Sequence, residues 1–339
     1  MTIRVPFIDV KGPSGVNLAE RFGDEFVGVR ITDLDGGEAD ELVIRFRRRK
    51  PYLQPPPVDT EFTAALGWDP RGALVTGTYK YQRTQYSGDP EGGQEMNLVC
   101  RSADFTDALK RVDTEHFDAE TGHRTYGDVL DELARRAGLS TAIDDELRAI
   151  PLAGGYLLRW KQSAIGFASD IAEELGAIVK PQAGRLTARR KGSFASPSGS
   201  DLPDVRIPFD PNYAWQVDLE PRFGQFEVAA GWFDAGKGRP EETLKALGNG
   251  IARFAMPHIA PSIDFAKAAA EGTARRLEAE TATGFFQFAG DATAVAGARA
   301  VAEGYGPDVD AVNWEIRAVY HEAGPDMGWT TTIETELAW

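Results

Sequence analysis

Two stretches of this chain follow the same β-hairpin pattern, and that repetition limits the possible folds more than any other feature. From Trp314, residues Trp314, Ile316, Ala318 and Tyr320 alternate with Glu315, Arg317, Val319 and His321, a period of two that suits a half-buried strand. Gly324, Pro325, Asp326 and Gly328 supply a turn, and Thr330, Thr332, Glu334 and Glu336 alternate with Trp329, Thr331, Ile333 and Leu337 on the way back. The earlier copy runs through GTYKYQRTQYS from Gly77, the turn SGDPEGGQ and the return EMNLVCRSA from Glu95. A glycine followed by an aromatic ends the short strand before each hairpin, Gly67-Trp68 in one and Gly304-Tyr305 in the other. The pattern predicts an internal duplication of one β module.

The 339 residues suffice for two or three domains with separate cores. Charged residues at 26% and hydrophobic ones at 42% match a globular chain. The formal charge of -15 disfavours nucleic-acid reading, which needs cationic phosphate contacts, but is compatible with a passage through which DNA slides. Cys100 is the single cysteine, which excludes an intrachain disulfide, and its place in an alternating strand predicts a core residue. The N-terminus lacks a signal-peptide core, and no apolar run reaches the roughly 20 residues of a membrane span. Synthesis in the cytoplasm is therefore expected.

Residues 1–103 are predicted to form the first β module. Within it, Phe26–Thr32 and Glu41–Arg47 are strands joined by DLDGGEAD, an acidic segment without EF-hand spacing that is read as a solvated turn. Arg45, Arg47, Arg48, Arg49 and Lys50 form a basic cluster read as a solvated strand end. Residues 104–192 change period and predict a small α+β module. Thr125 with Asp128 offers a capping box for a helix ending at Gly138, and Ser163 caps another ending at Gly176. A Ser/Gly/Pro linker follows at 193–204. The second β module is expected over 205–339, with a strand pair across Gly224, a Gly/Pro-rich loop over 236–261 and a helical insertion near 262–281.

No HExxH, GxSxG, Walker loop or post-strand GxGxxG is present, so no catalytic, cofactor-binding or metal residue is assigned. His116 and His123, flanking Asp118 and Glu120, are the best local metal candidates, but no helix sets their geometry. The expectation is a protein that is not an enzyme. A cell-wall hydrolase with two converging carboxylates and a monomeric binding β-barrel adaptor are the rival readings.

DLDGGEAD at 33–40, ALGWDP at 65–70, TYGDVLDELARRAGL at 125–139 and the ending VYHEAGPDMGWTTTIETELAW together resemble the late control protein D family of contractile phage tails. That family comprises baseplate hub proteins and the hub-like part of type VI secretion spike proteins. In the ending, His321, Gly328, Trp329, Thr330 and Thr331 match the family's pattern, with His321 carried over as a structural residue. The resemblance implies two tube-protein-like β-barrels flanking the α+β module. It also implies a homotrimer whose six barrels adapt a hexameric tail tube protein to a trimeric spike, in contact with other baseplate proteins and with DNA passing through the lumen. The spike is expected as a separate protein, and the assembled place is the virion tail baseplate or a tail-like particle.

Overall fold

The structure is a computed structural model describing residues 4–36, 38–70, 72–90, 93–102, 107–182, 184–196, 199–220, 225–247 and 252–338. The first part contains β1 (Val5–Lys11), α1 (Leu18–Phe22), β2 (Phe26–Leu34), β3 (Glu41–Arg47), β4 (Glu61–Asp69), β5 (Val75–Asp89) and β6 (Gly93–Ser102). The middle contains α2 (Asp107–Lys110), β7 (Val112–Asp118), α3 (Tyr126–Arg136), β8 (Ser140–Ile143), α4 (Asp145–Arg148), β9 (Tyr156–Ser163), α5 (Ala164–Glu174), β10 (Ala177–Gln182) and β11 (Arg185–Arg190). The last part begins with β12 (Val205–Pro208), β13 (Trp215–Leu219), β14 (Gln225–Asp234), β15 (Arg239–Ala246) and β16 (Ala252–Ala260). It continues with α6 (Ile263–Ala279), β17 (Ala282–Ala289), β18 (Arg299–Glu303), α7 (Pro307–Asp310), β19 (Trp314–Gly324) and β20 (Gly328–Leu337).

One 12-stranded sheet spans both halves, and its strand order makes the repetition explicit. The first half runs β4-β5-β6-β3-β2 and the second β18-β19-β20-β17-β13, with the same connections in the same sequence. The registers agree as well. Tyr79, Lys80 and Tyr81 pair with Ser102, Arg101 and Cys100 before a one-residue bulge, and the hairpin closes with Asp89 opposite Gly93. Trp314, Glu315 and Ile316 pair with Leu337, Glu336 and Thr335 before a bulge at the same place, and Gly324 stands opposite Gly328. Gly93 and Gly328 both have positive φ, a conformation that costs other residues more than glycine. The cores correspond too: Ile44 and Phe46 point inward from β3 as Phe286 and Phe288 do from β17.

The β-rich α+β class is as expected, but no closed barrel forms among the described residues. The sheet path is open from β1 to β13, because the edge of β2 that could close the first half is instead paired to β19. Two further expectations are corrected. The hairpin predicted across 213–234 is absent, since β13 pairs with β17 while β14 belongs to a separate three-stranded sheet with β15 and β16. That sheet occupies most of the stretch read as a loop. Its inward Val228 and Ala230 meet Ala266, Ala270 and Ala274 of α6, and small side chains on both sides let helix and sheet approach closely. The N-terminal strand β1, paired along its whole length with β4, was not anticipated, nor was the β7–β9 ribbon.

The middle module follows its local signals. The Thr125 hydroxyl accepts from Asp128 N while Asp128 returns a carboxylate to the cap, and Ser163 accepts from Gly166 N at the start of α5. Buried Val129, Leu130 and Leu133 of α3 pack with Phe167 and Ile171 of α5 over Leu186 of β11. Gly176, just past α5, lies against Gly272 of α6, where a β-carbon would come within 2.7 Å of the glycine backbone. The two glycines thus bring the middle module onto the helical insertion.

Candidate functional site

A set of polar groups drawn from several elements lies where the halves and the middle module meet. Along the seam, Val29–Leu34 of β2 pairs antiparallel with Ala318–Ala323 of β19. A β-carbon on Gly28 would stand 2.4 Å from Ala323 O, and one on Gly324 would stand 2.4 Å from Val27 O, so both positions need glycine for the backbones to meet. The two aromatic motifs also converge. Trp68 donates from Nε1 to Gly290 O at 2.7 Å, and its ring lies 5.2 Å from that of Trp329. His321, 1% exposed, shares a 3.0 Å hydrogen bond with Thr331, its cross-strand neighbour. Burial depresses the imidazole pKa to about 4, so it stays neutral at physiological pH.

The acidic DLDGGEAD segment is not a solvated turn, as the sequence suggested, but the socket for the middle module. Lys180 of β10 places Nζ 2.5 Å from Asp33 Oδ1, 2.7 Å from Asp40 Oδ1 and 2.7 Å from Leu34 O. Arg189 of β11 pairs with Asp35 and lies 3.6 Å from Glu315 of β19. The second oxygen of Asp33 accepts from Ala296 N at 2.9 Å, which ties the loop to the second half. Burial pushes Asp35 above the usual carboxylate range, takes Asp40 to about 6 with help from the Asp33 charge, and takes Glu315 to about 7. Lys180 would lose basicity through burial, but Asp33 and Asp40 together raise it. Such a network positions three units relative to one another, since its charges are stable only when every partner is in place.

The remaining candidates have local explanations. His116 Nε2 lies 3.6 Å from Asp118 and His123 bonds Thr121 at 3.1 Å, and no group of three metal-ligating side chains occurs among the described residues. Cys100 is buried, and burial pushes its thiol up to about 12. Of the basic cluster, Arg45 pairs with Glu95, Arg47 with Asp326 and Arg49 with Glu25, while Arg48 stacks over Tyr52. A cleft of about 820 Å³ beside the seam is lined by carboxylates including Glu173, Glu174, Glu334 and Glu336, with Arg276 and Arg317 among them. The charge network was missed although it left a trace: a lone Lys180 within the apolar run AIVKPQ needs a buried counter-charge. No helix in the described residues is long and apolar enough to cross a membrane.

This fold is that of phage tail proteins. The 43 kDa tail protein of prophage MuSo2 from Shewanella oneidensis superposes with a TM-score of 0.68 at 12% identity, over 97% of this chain and 98% of that one. A tail protein from Neisseria meningitidis MC58 gives 0.66 at 12%, over 98% and 96%. An E. coli protein described as a component of the type VI secretion system gives 0.58 at 10%, over 98% and 77%.

In sequence, the expected resemblance to baseplate hub proteins holds. The probable baseplate hub protein of Escherichia phage 186 is 25% identical over 233 residues, which cover 68% of this chain and 57% of that protein. That of Escherichia phage P2 is 22% identical over 226 residues, covering 66% and 56%. The matched stretch thus spans less than two thirds of either curated relative. No family model matches the sequence.

Proposed function

We propose that this chain is a structural hub of a phage tail or tail-like injection baseplate, that it adapts a hexameric tube to a trimeric spike, and that it forms part of the central channel. The observation that carries this reading is the repeated strand order and register of the two halves, joined edge to edge in one sheet. A chain with two equivalent modules lets three copies present six similar surfaces on one side while keeping threefold symmetry on the other. Its partners are two further copies of itself, the tail tube protein, the spike and neighbouring baseplate proteins, and its place is the virion tail. The net charge of -15 lets DNA pass without being held by phosphate contacts. The modules are 1–103, 104–192 and 205–339, with 193–204 as the linker between the last two.

In this reading the protein acts by geometry and not by catalysis. The buried charge network sets the angle between the sheet and the middle module, and the seam sets the spacing of the two halves. Imaging of particles assembled with the matching tube and spike proteins tests the reading. A threefold ring between them is expected, and particles that form complete tips without the chain would refute it. Zymography on cell walls addresses the rival hydrolase: lysis abolished by Glu174→Gln in the carboxylate-lined cleft would favour an enzyme.

A further inference from the structure

The two halves repeat their edges as well as their strand order. A row of cross-strand neighbours in the first half reads Val29, Ile44, Leu98, Thr84 through β2, β3, β6 and β5. Its counterpart in the second half reads Trp215, Phe286, Ile333, Val319 through β13, β17, β20 and β19. Within the chain, Val29–Leu34 of β2 covers the outer edge of β19 along Ala318–Ala323. The counterpart of the covering strand is β13, and the counterpart of the covered edge is Arg83–Gly88 of β5.

Neither counterpart has an outer neighbour among the described residues. The sheet path ends at β13, and past Tyr81 the strand β5 pairs only with β6. Exposure records the difference. Trp215 and Tyr86 are 41% and 55% exposed, whereas Val29 and His321, which hold the same places in the covered seam, are 2% and 1% exposed. A run of backbone N–H and C=O groups on an open strand edge is a template for another strand, and both edges here are long enough to use it.

We propose that β13 of one copy pairs antiparallel with Arg83–Gly88 of a second copy of this chain, in the register of the internal seam. This deepens the hub reading and rests on it. Because Val29 faces Ala323 and Ile31 faces His321 inside the chain, Trp215 faces Gly88 and Val217 faces Tyr86 between chains. Leu34 opposite Ala318 likewise translates to Glu220 opposite Arg83, an opposite-charge pair across the new seam. Trp215 then covers a glycine, where its ring replaces the missing side chain. The contact is head-to-tail, since one edge meets a different edge. It therefore builds either a closed ring or an open filament. Internal and external seams alternate, and in the hub reading three chains close a ring of six modules.

The test is cross-linking of the full-length purified chain. Val217→Cys with Tyr86→Cys puts two thiols in register across the proposed seam, and Val217→Cys with Ser87→Cys puts them on opposite faces. Cys100 is buried and does not compete. Mild oxidation should link the in-register variant at least tenfold more than the offset one, in a ladder that stops at three. Equal yields would overturn the pairing. Amide exchange on the unmodified chain gives a second measure: protection of 83–88 and 215–219 should rise together as copies associate. A trimer in which both runs still exchange freely would remove this pairing and leave the hub reading standing. In-register links that grow into open chains of any length would keep the pairing and remove the closed ring on which the hub reading depends.

Discussion

Replacing Lys180 with methionine should unlock the middle module from the sheet. The side chain is 7% exposed and its ammonium is shared by Asp33, Asp40 and the Leu34 carbonyl, so its removal leaves two half-buried carboxylates facing each other. Breaking one side of a buried ion pair costs about 3–5 kcal/mol, against a typical total stability of roughly 5–15 kcal/mol. Urea unfolding followed by tryptophan fluorescence reads the loss directly. The penalty should also depend on pH. Asp40 titrates in the folded state at about 6 even with its lysine present, above its ordinary value, so its stabilising contribution is full in acid and lost as pH rises through 6. The variant should therefore be closer to wild type at pH 5 than at pH 8. Adding Asp33→Asn and Asp40→Asn to Lys180→Met should restore much of the stability, because no buried charge is then left without a partner. A loss below about 1 kcal/mol at pH 8, or the same loss at pH 5, would show that the socket does not hold the module as argued.

Other perturbations follow the same physics. Glu315, raised to about 7 by burial, contributes stability that is full below about 4.5 and lost as pH climbs through 7. Glu315→Gln should therefore flatten the stability profile between pH 5 and 8, as thermal unfolding across buffers would record. Gly28→Ala inserts a β-carbon 2.4 Å from a carbonyl oxygen in the seam and should destabilise by about 1–3 kcal/mol. Circular dichroism melts would show it as a lower midpoint. His321, held near 4, should keep one imidazole NMR signal position from pH 8 to 5. Thr125→Ala removes the capping box of α3 and should cost about 1 kcal/mol in the same melts.

The elements legible in sequence are those defined by neighbours a few residues apart. The α3 and α5 helices announced their caps at Thr125 and Ser163 and their ends at Gly138 and Gly176, because capping hydrogen bonds and left-handed turns are local. The two long hairpins were visible because alternation and turn glycines lie within one stretch of chain. β14 was misassigned because alternation shows that a strand has two faces but does not say which strand lies beside it. β15 and β16 read as loop because each contains a proline and their mostly exposed side chains form no long apolar run.

By itself, the sequence determined that this chain carries two copies of one hairpin module with a helical module between them, and that no familiar catalytic constellation is present. Those conclusions come from residue type and period, which a one-dimensional string records. Only the tertiary structure decided that β2 closes on β19 and not on its own half, that DLDGGEAD receives Lys180 and Arg189, and that β13 and the outer part of β5 are left as open edges. Each of these joins residues more than a hundred positions apart, or depends on which strand lies beside which. That choice is made by the packing of whole faces and the pairing of buried charges, and no local pattern encodes it.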